Sequence, residues 1–221
     1  MKVFIAPLQY RSKSGYDASA YWKDRFHKYG TSIQGPGDEG LSEAENEKMY
    51  QEAADVFRSI CQKERIDFCR AQVLEIGVGT GFYTQILREM GVASYSGIDI
   101  TDVLFPQHKQ DFPCYTFLQA DITKEAICGS FSLIVMIDVI QHIVEKEKLA
   151  FAMENIKKAL APNGIFIVAP IMHATKKQLF YVHFWSEKLF EELFLGFTIS
   201  EPIPFRTGSI IVIKNRQLER F

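Results

Sequence analysis

The stretch Val73–Gly81, VLEIGVGTG, constrains this chain more than any other segment. A short apolar run ends in glycine, and two more glycines follow at alternate positions. A helical pattern with Ile86, Leu87 and Met90 on one face opens directly afterwards. A strand that passes through such a turn into a helix can bring its backbone against a ligand. The glycines remove the obstructing Cβ, and the start of a helix offers unpaired N–H groups. The spacing narrows the ligand. A dinucleotide fingerprint requires G-x-G-x-x-G/A, whereas the glycines here are Gly77, Gly79 and Gly81, and Phe82 stands where a small residue belongs. NAD is therefore the weaker reading, and with it an NAD-dependent oxidoreductase.

The segments that follow repeat the same alternation. SYSGIDI, CYTFLQAD, FSLIVMIDVI and IFIVAP read as strands, with helical patterns over 145–160 and from Ser186 to Gly196. FTISEPIPF and GSIIVIKN read as two adjacent closing strands. Short connections between alternating strands and helices predict an α/β fold. A Rossmann-like, mostly parallel sheet is expected, with helices on both faces and ligands beyond the carboxyl ends of the strands. Before this body, Trp22, Phe26 and Tyr29 share one face of a short helix over 18–29, and a Gly/Pro-rich loop spans 30–40. A capping box at Ser42 and Glu45 opens a second helix. Residues 1–70 are thus expected as an N-terminal helical extension or lid, and 71–221 as the ligand-binding core of one structural domain.

Two acidic positions follow strands. Asp99 lies 22 residues after Gly77, at the distance where a carboxylate accepts from the ribose hydroxyls of an adenosyl group. Asp121 follows the third strand, where an acid can accept from an adenine amine while Ile122 packs on the ring. The charge balance, 25 Lys and Arg against 27 Asp and Glu, offers no basic surplus for a phosphate backbone, so nucleic acid is disfavoured as a partner. No apolar run reaches membrane-spanning length. The four scattered cysteines, with no C-x-x-C pair and no histidine at zinc-ligand spacing, are expected as reduced thiols in a cytoplasmic protein, with no metal site.

At VLEIGVGTG, GIDI and QAD the chain resembles the class I S-adenosylmethionine (SAM)-dependent methyltransferases. The resemblance extends through FSLIVMIDVIQHI and the Pro-x-Gly turn of LAPNGIFIV, with Ser132 standing where an aspartate is usual. It implies a seven-stranded sheet whose last strand inserts antiparallel between the fifth and sixth, and SAM as cofactor. By that resemblance Glu75, Gly77 and Gly79, with Gly81 completing the loop, line the methionine and ribose end. Asp99 holds the ribose with Ile100 beside the adenine, Asp121 and Ile122 frame the adenine, and Ile137 with Asp138 approaches the sulfonium side.

Methyl transfer to oxygen or to a protonated amine also needs a proton removed. His142, just past the fourth strand, is the candidate base, against a structural role at a helix start. Trp22 and Arg25 in the extension, and His173 and His183 after the fifth strand, are the candidate contacts to a small organic acceptor. IDVIQ replaces the Asn/Asp-Pro-Pro-aromatic turn of amino-group DNA methylation. No carboxylate trio marks a catechol-type magnesium site, and no Pro-Cys suggests cytosine C5 chemistry. A non-catalytic SAM-binding partner subunit remains the alternative outside enzymology.

Overall fold

The computed structural model describes residues 9–12 and 15–215; residues 1–8, at the start of the expected extension, lie outside them. Twelve strands and six α-helices follow one another among the described residues. A small ribbon, β1 (Arg11–Ser12) and β2 (Gly15–Tyr16), precedes α1 (Ala18–Tyr29) and α2 (Glu43–Lys63). The alternating body is β3 (Gln72–Ile76), α3 (Phe82–Glu89), β4 (Ser94–Asp99), α4 (Phe105–Asp111), β5 (Thr116–Gln119), β6 (Phe131–Ile137), α5 (Lys146–Ala159) and β7 (Leu160–Ile171). It closes with β8 (Lys176–Leu179), β9 (Val182–Phe184), α6 (Glu187–Leu193), β10 (Thr198–Ile199), β11 (Ile203–Phe205) and β12 (Gly208–Lys214).

The central sheet runs β10-β12-β7-β6-β3-β4-β5, and β11 pairs off this path with β12. Strands β3 to β7 are parallel, while β12 is antiparallel to both β7 and β10. The last strand is thus inserted between the fifth and sixth of the body, as the family resemblance implies. From β3 the chain first builds outward through β4 and β5, then returns to β6 on the other side. The crevice at that reversal, beside the loop after β3, is where an open α/β sheet binds its ligand.

Successive side chains of each strand point to opposite faces, and both faces are buried. Val73, Tyr95, Leu133 and Val135 pack beneath α2 and α3 through Phe57, Ile60, Ile86 and Leu87. Leu74, Ile134, Met136 and Phe166 pack beneath α5 and α6 through Met153, Ile156 and Phe190. Helix α2 therefore belongs to the core layer. It starts on the expected capping box, with Ser42 N–H donating to Glu45 and Glu45 N–H returning to the Ser42 hydroxyl.

Four local features differ from the sequence reading. Strand β6 stops at Ile137 because Asp138 adopts φ 61°, and Ile140–His142 form a 3-10 turn. The APNG segment is no free turn. It is a bulge inside β7, where Asn163 (φ 58°) donates to the Asn215 carbonyl and the register against β6 shifts. Helix α4 and the β8–β9 hairpin carry too little apolar periodicity to show in the sequence. None of the described helices is long and apolar enough to cross a membrane.

Candidate active site

The loop after β3 is tied down at three points. Gly77 N–H donates to the Ile98 carbonyl (2.7 Å), Gly79 N–H to Asp99 Oδ2 (2.9 Å), and the His108 ring nitrogen Nε2 lies 2.9 Å from the Gly79 carbonyl. Gly77 (φ 81°) has no room for a Cβ, which would meet Val139 Cγ2 at 2.0 Å. Gly79 (φ 52°) presents its Cβ position to open space, with Phe26 at 3.9 Å. The glycine spacing thus serves two ends, close packing at the first position and exposed backbone at the second.

Asp99 closes β4 beside this loop. Its carboxylate accepts from Gly79 and from Thr101 N–H (3.1 Å). Burial pushes its pKa up to about 6, against the lowering effect of N–H bonds from Gly79, Thr101 and Ile100. Asp121 is held by Thr123 and by Lys124 Nζ at 2.8 Å. Burial acts to raise its pKa, but Lys124 and Thr123 outweigh it and the net shift is downward.

One cavity opens beyond the carboxyl ends of β3, β4, β5 and β6. Gly77, Gly79, Asp99, Ile100, Asp121, Ile122, Ile137, Trp22 and His142 all line it, so nine of the residues singled out in the sequence converge. Helix α1 borders it. Asp17 caps that helix by accepting from Ala20 N–H, and Trp22 stacks on Phe26 with ring centroids 5.6 Å apart.

Five other candidates lie elsewhere. Glu75 points into the opposite face of β3, where it accepts from the Thr84 hydroxyl (2.8 Å) and the Tyr95 hydroxyl (2.6 Å). Burial raises its pKa to about 7. Gly81 is the residue before α3 and opens on a neighbouring pocket, with its Cβ direction against the His108 ring. Arg25 has all five N–H donors engaged. Nε donates to Gly35 O, Nη1 to Tyr21 Oη and Glu39 Oε1, and Nη2 to Gln34 O and Gly37 O. It clamps the glycine-rich loop and has no donor left for a ligand. His173 is 93% exposed beside Glu187, and His183 stacks on Trp185 in the hairpin at 4.0 Å. Neither lines the cavity. Their sequence separation from the strands carried no information about which way the hairpin would fold.

His142 sits under the aromatic wall. Its ring lies parallel to Tyr181, meets Trp22 edge-on at 4.9 Å, and has Nδ1 3.0 Å from the Tyr181 carbonyl. A carbonyl only accepts, so Nδ1 carries the hydrogen and Nε2 carries the lone pair. Burial lowers the ring's pKa to about 4, with the Arg25 charge adding to the shift and the Tyr181 hydrogen bond opposing it.

The sequence reading missed the polar cluster at the other end of the cavity. Asp138 pairs with Arg206 from the β11–β12 turn, and Tyr50 of α2 and Tyr83 of α3 lie against them. Tyr50, Tyr83 and Asp138 line the cavity. Arg206 comes from a strand pair more than sixty residues downstream of Asp138, and nothing local in FRTG announces it.

A family model described as a methyltransferase domain matches residues 74–166. Among curated proteins, the PKS-NRPS hybrid synthetase cheA of Chaetomium globosum is 32% identical over 111 residues, covering 45% of this chain and 2% of that protein. The chain therefore spans only a small fraction of the length of that relative. Among solved structures, the magnesium protoporphyrin IX methyltransferase of Synechocystis PCC 6803 with bound SAM superposes with a TM-score of 0.69 at 16% identity, covering 92% of this chain and all of that one (100%). The 1,6-didemethyltoxoflavin-N1-methyltransferase of Burkholderia thailandensis gives 0.62 at 15% identity, covering 90% and 89%. The amino pentose methyltransferase CalS10 of Micromonospora echinaspora gives 0.61 at 14%, covering 76% and 91%. At these identities the structural likeness establishes the fold.

Proposed function

We propose that the chain is a class I SAM-dependent methyltransferase and that it transfers a methyl group from SAM to an oxygen or nitrogen of a small organic acceptor. The observation that carries the proposal is the Gly77–Gly79 loop hydrogen-bonded to the buried Asp99 at the mouth of one largely apolar cavity. These residues fit an adenosyl ligand. The Gly79 backbone faces open space, Asp99 offers a carboxylate for ribose hydroxyls, and Ile100 and Ile122 offer flat apolar contacts to an adenine.

SAM supplies a methyl carbon already activated by a sulfonium. The work left to the protein is alignment of the acceptor and exclusion of water. Trp22 and Phe26 of α1 and Tyr50 and Phe82 from the α2–α3 side wall the cavity with aromatic surface, which suits an apolar acceptor. In this reading His142 is a positioning residue. A neutral Nε2 lone pair can accept a hydrogen bond from an acceptor hydroxyl or amine and aim its lone pair at the methyl. With its pKa near 4 the ring is a weak base at neutral pH, because proton transfer is most effective when the catalytic pKa lies near the working pH.

Calorimetry tests the cofactor. The purified protein should bind SAM and its demethylated product S-adenosylhomocysteine (SAH), and show no heat with NAD. Stabilisation by NAD with none by SAM would overturn the reading. A screen of small hydroxyl- and amine-bearing aromatic compounds for SAH release then tests the acceptor class. SAM binding with no release from any compound would favour a partner subunit.

A further inference from the structure

We infer that the acceptor is an uncharged amine of the arylamine kind, which gives one N–H to His142 Nε2 and turns its nitrogen lone pair toward the methyl group. The inference rests on the methyltransferase reading above and narrows it from oxygen or nitrogen to one class of nitrogen. His142 lines the cavity, with Trp22 edge-on to its ring and Tyr181 parallel to it. Its Nδ1–H is spent on the Tyr181 carbonyl, so Nε2 has a lone pair and no proton to give. No described residue bonds to Nε2, and the atom keeps accessible surface on the cavity side. What it can take from a ligand is therefore one N–H or O–H.

Three kinds of acceptor fit these surroundings badly. A carboxylate or phenolate has no proton for Nε2 and sets its negative charge against that lone pair. The lysines of the cavity, Lys124 and Lys148, are already paired with Asp121 and Glu145. Only the sulfonium, whose charge the transfer removes, is left to offset the burial of such an anion. An alkylammonium has no lone pair for the methyl, and it needs an anion beside it. The carboxylates of the cavity are engaged: Asp138 with Arg206, Asp121 and Glu145 with their lysines, Asp99 with two N–H groups and Asp17 with Ala20 N–H. Nor do the rings replace the anion. Arg25 stands 5.8 Å from the Trp22 centroid and Arg206 4.1 Å from that of Tyr50, where a further cation is repelled. A neutral hydroxyl attacks well only as its proton leaves. With those carboxylates engaged, the base left among the described cavity residues is His142, and a pKa near 4 makes it a weak one.

An uncharged amine meets none of these obstacles. Its lone pair forms the N–C bond while the C–S bond breaks and sulfur keeps that electron pair. The positive charge passes from sulfur to nitrogen, and the methylated nitrogen gives its proton to water as the product leaves. An aromatic ring on that nitrogen keeps it uncharged at neutral pH and matches the Phe26 and Phe82 walls.

A matched series of probes on the full chain tests this. 1-Naphthylamine, 1-naphthol, 1-naphthoate and 1-naphthylmethylamine, the last an ammonium at neutral pH, share one ring system and differ in the group they present. Each is titrated into the SAH-loaded protein, and each is then offered with SAM while SAH release is followed. Naphthylamine should bind about tenfold or more tighter than the naphthoate and the ammonium, the scale of one buried charge left without a partner. It should also release SAH about a hundredfold faster than naphthol, the lower end of what general-base help is worth. In His142→Phe nothing accepts the amine N–H and no lone pair opposes the anion, so the gap between naphthylamine and naphthoate should narrow. The wild-type series carries the test by itself should that variant fail to fold. Naphthoate or the ammonium binding as tightly as naphthylamine, naphthol or naphthoate methylated as fast as naphthylamine, or a SAH-loaded protein that takes none of the four, would each overturn the inference. Failure of the wild type to bind SAH at all would instead remove the methyltransferase reading beneath it.

Discussion

Asp99 and His142 are both buried titratable groups, and burial moves them in opposite directions, because it disfavours whichever form is charged. For Asp99 the folded pKa, about 6, lies above the ordinary carboxylate value. Ribose hydroxyls donate best to the ionised carboxylate, so ligand affinity is full above that pH and declines as pH falls through it. SAH affinity of the wild type should therefore weaken between pH 7 and 5. Asp99→Asn should bind about tenfold or more weaker at pH 7, the loss of a charge-assisted bond, with a flat profile over that range. A variant that keeps wild-type affinity and slope would remove Asp99 from the ribose contact.

For His142 the folded pKa, about 4, lies below the ordinary value of 6.5. The unfolded chain then binds the extra proton, so the histidine's contribution to stability is present above pH 6.5 and is lost as pH falls toward 4. Glu75, raised to about 7 by burial, runs the other way. It favours the folded state at low pH and loses that contribution as pH rises through 7. The His142 part can be isolated by thermal melts at pH 7 and pH 5. His142→Gln should show a smaller drop in Tm between the two than the wild type, and an equal drop would mean that His142 is solvated and ordinary.

Helix α1, the loop after it and the β8–β9 hairpin form one aromatic assembly beside the cavity. Tyr181 at the hairpin tip stacks on Tyr21 at 4.9 Å, and its carbonyl fixes the tautomer of His142. Arg25 holds the other end by gathering the carbonyls of Gln34, Gly35 and Gly37 around one guanidinium. Arg25→Ala strands those carbonyls. It should cost about 2–3 kcal/mol, counting the buried hydrogen bonds and discounting the half-exposed Glu39 partner. The measurement is a fall in the urea midpoint at unchanged m. A full loss of SAH affinity with unchanged stability would return Arg25 to the ligand-contact role.

Ligand binding and folding are coupled across the chain. SAH at a hundred times its Kd should stabilise the fold by about 2.7 kcal/mol, visible as a rise in Tm that NAD does not produce. If the part of the extension over residues 15–40 acts as a lid, SAH should also slow amide exchange there more than in α2, which is already locked into the core beneath the sheet. Equal exchange with and without SAH would make α1 a fixed wall of the cavity.

Most of the architecture was legible in the chain itself. Strand and helix periods, the Ser42–Glu45 capping box and the apolar run of β6 are local patterns, and each is written within a few consecutive residues. The loop at Gly77 and its distance to Asp99 were legible for the same reason: the hydrogen bond between Gly79 and Asp99 joins two neighbouring parallel strands whose order follows from a short crossover. What lay beyond reach depends on side-chain direction and on contacts between distant segments. Period-two alternation places Glu75 on one face of β3 and its neighbours on the other, but only the packed helices decide which face meets the cavity. Arg25 had five donors to spend, and the folded loop of Gln34–Gly37 took them. His142 carried an ordinary pKa until Trp22 and Tyr181 enclosed it. Arg206 met Asp138 only once β12 had inserted between β7 and β10, because charge and burial are properties of the assembled neighbourhood and not of any one stretch of sequence.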